Sequence, residues 1–112
     1  MRVAVVGSRS IHIDNLEDYL PSDTTEIVSG GARGVDLCAR NYALVHGIKL
    51  TEFYPEYEKY GRVAPIKRNL LIINNSDLVI AFWDGKSRGT DFVIRACQNH
   101  NIKVIVHIMS VT

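Results

Sequence analysis

Ser29-Gly30-Gly31-Ala32-Arg33-Gly34-Val35-Asp36 brings three glycines, an arginine and a carboxylate into one short stretch. Glycines without a Cβ let backbone N–H groups turn toward a ligand. Arg33 adds a planar guanidinium fork that matches phosphate oxygens. The chemistry served is the cradling of an anion, above all a nucleotide phosphate. The same residues also suit a tight strand-to-helix turn whose glycines serve packing. Asp36 closes the stretch with two readings. A carboxylate is favoured in the first turn of a helix by the dipole, and it also suits contact with a ribose hydroxyl or work as a general base.

A second glycine-rich loop is Trp83-Asp84-Gly85-Lys86-Ser87-Arg88-Gly89-Thr90. Gly89 and Thr90 at a helix start offer amides and a hydroxyl to an anion. Asp84, Gly85 and Ser87 stand beside them. Gly85-Lys86-Ser87 invites a phosphate-loop reading, but that motif needs a glycine five positions earlier, where Ile80 stands. No GxGxxG follows the first apolar run, which disfavours a dehydrogenase. Gly7-Ser8-Arg9-Ser10 form a third loop, at the end of the first strand, where Gly7, Ser8 and Arg9 are placed to meet phosphate or a base edge. Arg68 and Asn69, early in a helix, point back toward the glycine-rich turn. Asp36 and Asp84 are the carboxylates placed to do catalytic work, orienting water or stabilising a developing oxocarbenium charge. No His-Cys-Asp cluster has metal-ligand spacing, so neither a metal nor a cofactor is expected. No nucleophile elbow or Ser-His-Asp arrangement is recognisable.

These residues need elements to hold them. Val3 to Val6, Thr24 to Val28, Ile48 to Phe53, Asp77 to Phe82 and Ile102 to Ile108 read as five strands. The first and fourth are continuously apolar, the mark of parallel strands buried on both faces. Asp14 with Glu17 three residues on resembles a capping box and predicts a helix to Leu20, stopped by Pro21. A second helix carries Val35, Cys38, Ala39, Tyr42 and Ala43 on one face and ends at Gly47. Pro65 opens a third, with Ile66, Leu70 and Ile73 as its apolar face. Phe92, Val93, Ala96 and Cys97 carry a fourth. Tyr54, Tyr57 and Tyr60 lie in a segment that is either a cover for the core or a wall for stacking a base. Ser110 to Thr112 read as a tail. Strands alternating with helices predict one three-layer α/β domain over residues 1–112 with a five-stranded parallel sheet.

The 112 residues are 46% hydrophobic and 22% charged, with a net charge of +1. That composition is ordinary for a soluble globular domain and gives no global electrostatic case for nucleic acid or membrane. Four of the eight arginines, Arg9, Arg33, Arg68 and Arg88, nevertheless fall in or beside the proposed ligand loops. Cys38 and Cys97 sit at apolar helix positions without CxxC spacing and read as buried reduced thiols, which suits a cytoplasmic location. Met1-Arg2 leads at once into a strand pattern rather than a signal peptide. No apolar run approaches the ~20 residues needed to span a bilayer.

Four stretches occur in a fixed order: Val6-Gly7-Ser8-Arg9, Ser29 to Asp36, Arg68-Asn69 and Ala81 to Thr90. Together they resemble the YspA, cpYpsA-related branch of the SLOG superfamily, over Val3 to about Val106. The resemblance implies a Rossmann-like fold with strand order 3-2-1-4-5, a nucleotide-type ligand, and compatibility with a homodimer. Relatives by this resemblance include Lonely-Guy phosphoribohydrolases, which cleave the N-glycosidic bond of nucleoside monophosphates. They also include DNA-processing protein A, which binds single-stranded DNA, and sensor domains for nucleotide-derived signals. Against the Lonely-Guy PGGxGTxxE pattern, Ser29 stands for the proline, and Asp36 is the nearest acid. Arg68 matches their helix arginine. The turn Ser-Gly-x-Ala-Arg-Gly-x-Asp of DNA-processing protein A is closer to Ser29–Asp36. The expected function is a nucleotide or nucleotide-derived ligand, an ADP-ribose derivative for example, bound by a sensor or carrier. An N-glycosidic hydrolase is the alternative. Single-stranded nucleic-acid binding ranks last for a chain this close to neutral.

Overall fold

The computed structural model describes residues 1–109; the tail read at Ser110 to Thr112 lies outside them. Strand β1 (Arg2–Gly7) is the centre of a five-stranded parallel sheet ordered β3-β2-β1-β4-β5. Its partners are β2 (Glu26–Ser29) on one side and β4 (Leu78–Trp83) on the other. The edges are β3 (Lys49–Glu52) and β5 (Val104–Ile108). Pairing of Val3 with Leu78 runs in register to Gly7 with Phe82, so β1 and β4 end level with each other.

Alternation along the buried strands divides the core in two. Val3, Val5, Ile27, Ile80 and Phe82 face one layer, covered by helix α1 (Val35–His46) through Val35, Cys38, Ala39 and Ala43. Ala4, Val6, Val28, Val79 and Ala81 face the other. There α3 (Ala64–Asn74) brings Ile72 and Ile73, and α4 (Arg88–Asn99) brings Val93, Ile94, Ala96 and Cys97. Each fully buried side chain of the size of Phe82 or Leu16 contributes about 1.5–3 kcal/mol. Both cysteines are buried. Among the described residues no helix is long and apolar enough to cross a membrane.

Three expectations are corrected. The helix from Asp14 to Leu20 is a single 3-10 turn, Leu16–Asp18, preceded by Asn15 with no side-chain cap bond. Asp14 is instead hydrogen-bonded to His12. Ile11, Ile13 and Leu16, at spacings of two and three, tuck into the core and draw the segment away from helical periodicity. The segment after β3 holds a one-turn helix α2, Tyr57–Tyr60, and a 3-10 turn, Gly61–Val63. Finally, α3 buries Ala64, Ile72 and Ile73 while Ile66 is exposed. Its inward row is Ala64, Arg68 and Ile72, at i, i+4 and i+8. A charged residue therefore occupies the middle of the stripe that faces the sheet.

Candidate functional site

The chain leaves β1 toward the layer of α1 and leaves β4 toward the layer of α4. Neighbouring strands whose connections part in this way open a crevice at their C-terminal ends, where open α/β sheets take ligands. A cavity of about 370 Å³ occupies that place. The β1 loop contributes Gly7, Ser8, Arg9 and Ser10; the turn after β2 contributes Gly30, Ala32 and Asp36. Arg68, Asn69 and Ile72 enter from α3, and Ser87, Gly89, Thr90 and Val93 from the start of α4.

Gly34, the residue before α1, has φ of 68°. A Cβ there would collide with the carbonyl oxygens of Ser8 and Arg9. Only glycine allows both the left-handed backbone and this close approach of the turn to the β1 loop. At Gly30 the reason is space alone. A Cβ would lie 2.7 Å from Arg68 Nη1 and 3.0 Å from Asp36 Oδ2, so both charged groups converge over that Cα.

Asp36 does not hold out an empty cradle. Its Oδ2 accepts the Ala32 N–H at 3.1 Å, so the carboxylate fills the anion position that the turn offers. Arg68 Nη1 donates to the Gly30 carbonyl at 2.8 Å, and Nε donates to Asn69 Oδ1 at 2.9 Å. Burial pushes the Asp36 carboxyl above its ordinary value, against the Ala32 N–H and the Arg68 guanidinium, which act to lower it. Burial likewise lowers the Arg68 guanidinium, against the attraction of Asp36. Among the described residues, Arg68 keeps an unused edge of its fork and Asp36 keeps Oδ1.

The β4–α4 loop is built around Asp84. Its Oδ1 accepts the N–H groups of Lys86 and Ser87, each at 2.8 Å, and the Ser87 hydroxyl at 2.9 Å. These donors hold the Asp84 carboxyl down at about 2. Ser8 Oγ accepts the Asp84 N–H at 3.2 Å and lies 2.6 Å from Ser87 Oγ. With the Ser87 proton committed to Asp84, Ser8 is the donor in that pair. Trp83 Nε1 donates to the Ser87 carbonyl at 3.0 Å. The loop is thereby tied to β1.

One consequence is that α4 starts without a side-chain cap. Ser87 stands at the capping position, but its hydroxyl is spent on Asp84. The amides of the first helical turn have no intrahelical acceptors. Thr90, third in the helix, is 5% exposed, lines the cavity, and makes no side-chain hydrogen bond to any described residue. A hydroxyl that opens on the cavity without a hydrogen-bond partner among the described residues, beside uncapped amides, is suited to an anion.

Most of the residues singled out from sequence meet here: Gly7, Ser8, Arg9, Gly30, Ala32, Asp36, Arg68, Asn69, Ser87, Gly89 and Thr90. Six do not line the cavity. Ser29 is fully buried with its Oγ unpartnered among the described residues. Gly31 lies under the Tyr54 ring. Arg33 is exposed, Gly34 and Gly85 shape turns, and Asp84 is held within its own loop. Arg88 is exposed at the first position of α4 and is not in the lining. None of Tyr54, Tyr57 and Tyr60 reaches the cavity. Tyr54 is exposed, donates to Glu52 Oε1 at 2.6 Å and accepts from Arg40 at 3.1 Å. Sequence reasoning missed Val6, Ser10, Ile72 and Val93. The apolar three look like ordinary core, and no signal in their types separates them from it. Among the described residues no three metal-ligating side chains come together.

No protein-family model, no curated protein and no solved structure matches this chain.

Proposed function

We propose that the protein binds a nucleotide or nucleotide-derived molecule in the β1–β4 crevice, as a sensor or carrier. The observation that carries this reading is Thr90, which lines the cavity in the uncapped first turn of α4 with its hydroxyl unpartnered among the described residues. A phosphate seated there takes the Gly89 and Thr90 amides and the Thr90 hydroxyl, with Arg9 supplying opposite charge from across the cavity. This moves the phosphate from the Ser29–Asp36 turn, whose Ala32 N–H is spent on Asp36. Asp36 Oδ1, the free edge of Arg68 and Asn69 then meet sugar hydroxyls and the base. A cavity of 370 Å³ lies within the range of small-ligand sites. On this reading the chain belongs with the YspA-like members of the SLOG superfamily that its motifs resemble.

A second reading rests on Asp36 alone. A buried carboxyl with a raised pKa beside an arginine suits general acid–base work on an N-glycosidic bond. A thermal-shift screen of mono-, di- and cyclic nucleotides, NAD and ADP-ribose separates the two when each positive mixture is then analysed by chromatography. A ligand at ~100 times its Kd adds about 2.7 kcal/mol, on the order of ten degrees for a domain of this size. Intact ligand supports a sensor or carrier, and released base supports a hydrolase. Absence of any shift contradicts both.

A further inference from the structure

Away from the crevice, Cys38, His12 and Asp14 stand in line on the side of α1 that meets the Ile11–Leu16 segment. Cys38 Sγ lies 3.3 Å from His12 Nδ1, and His12 Nε2 lies 2.6 Å from Asp14 Oδ1. The Ile13 N–H reaches the same sulfur at 3.3 Å. A carboxylate only accepts, so Asp14 takes the Nε2 proton and leaves Nδ1 to accept from the thiol. Nucleophile, base and orienting acid therefore have the connectivity of a catalytic triad. The three residues border a surface cavity of about 390 Å³, separate from the nucleotide crevice. Its other polar lining is Glu17 from the 3-10 turn and Asn41, Tyr42 and His46 from α1.

We propose that Cys38 is a nucleophile, with His12 as its general base and Asp14 as a positioning residue, and that the site takes small uncharged electrophiles. In the reaction a bond forms from Sγ to the electrophilic carbon. The leaving group departs with its electron pair, and the thiol proton passes to His12 Nδ1. The Ile13 N–H stabilises negative charge on sulfur as the proton leaves. Asp14 and Glu17 at the rim repel anionic reagents, which sets the preference for uncharged ones. Cys97 supplies an internal control. It lies in the opposite core layer, has no imidazole partner, and burial pushes its thiol up to about 11. The proposal stands independently of the nucleotide reading.

The test is timed alkylation of the folded chain with iodoacetamide, iodide being the leaving group, followed by peptide mass spectrometry. The expected result is labelling of Cys38 about tenfold or more faster than Cys97. His12→Gln lowers the Cys38 rate by about tenfold or more with an unchanged Tm, since His12 is exposed. In the wild-type chain, anionic iodoacetate lags iodoacetamide at Cys38 by more than it does in the urea-unfolded chain. Equal rates at Cys38 and Cys97, an unchanged rate in His12→Gln, or an equal lag in folded and unfolded chains overturns the proposal.

Discussion

Arg68 Nη1 donates to the carbonyl of Gly30 at 2.8 Å, and this bond carries an arginine from the inward row of α3 to the end of β2. The guanidinium is planar, and its Nε meets Asn69 at the same time. Lysine cannot make both contacts. Arg68→Lys is expected to keep the charge and the fold yet weaken nucleotide binding by about tenfold, the loss of one charge-assisted hydrogen bond. Isothermal titration of the two proteins measures the difference.

Asp36 makes stability fall as pH rises. Its folded-state value lies above the ordinary 3.8 because burial disfavours the charged form. The group's contribution is therefore whole below 3.8 and is lost as pH climbs through the raised value. Asn at this position keeps an acceptor for the Ala32 N–H and removes the buried charge. Thermal denaturation of Asp36→Asn should show a higher Tm than wild type at neutral pH and a flatter pH profile. A hydrolase reading adds that this variant loses turnover.

Asp84 works in the opposite sense. Its carboxyl is held at about 2 by the Ser87 and Lys86 donors, so the loop's stabilisation is present above 3.8 and is lost as pH falls toward 2. Trp83 is bonded to the Ser87 carbonyl and is the single tryptophan of the chain. Its fluorescence should change across that acid window. In Asp84→Ala the acid transition should be absent, the loop being loosened at every pH.

Ser29 and Gly34 respond oppositely to the same replacement. Ser29 Oγ is buried with no partner among the described residues, so Ser29→Ala removes an unsatisfied hydroxyl and should stabilise by about 1 kcal/mol. Gly34→Ala forces a Cβ onto the Arg9 carbonyl at positive φ and should destabilise by about 2 kcal/mol or more. Urea denaturation of both variants gives the two signs.

The centre of the sheet was legible because β1 and β4 are buried on both faces and leave continuous apolar runs, Val3 to Val6 and Leu78 to Phe82. Five strands alternating with helices led to the parallel sheet now seen; the strand order came from the motif resemblance rather than the pattern. The glycine-rich loops were visible for a similar reason, since few other pressures put Gly-Gly-x-x-Gly after a strand. What stayed hidden was orientation. Ile66 drew the face of α3 toward itself, because an apolar count cannot anticipate Arg68 on the inward row. Asp36 filling its own turn was hidden likewise, since a side chain four residues ahead competes with any ligand for the Ala32 N–H. His12 and Cys38 are 26 residues apart, and only the fold brings them within 3.3 Å.

The most direct test of the nucleotide reading is calorimetric titration of wild type and Thr90→Val with nucleoside 5′-monophosphates and ADP-ribose. Valine matches the shape of threonine and removes only the hydroxyl, which lines the cavity and has no hydrogen-bond partner among the described residues. The account predicts binding to wild type and affinity lower by about tenfold or more in Thr90→Val, with the Tm of the free protein undiminished. Equal affinity in the two proteins, or no binding to wild type by any of these ligands, would contradict it.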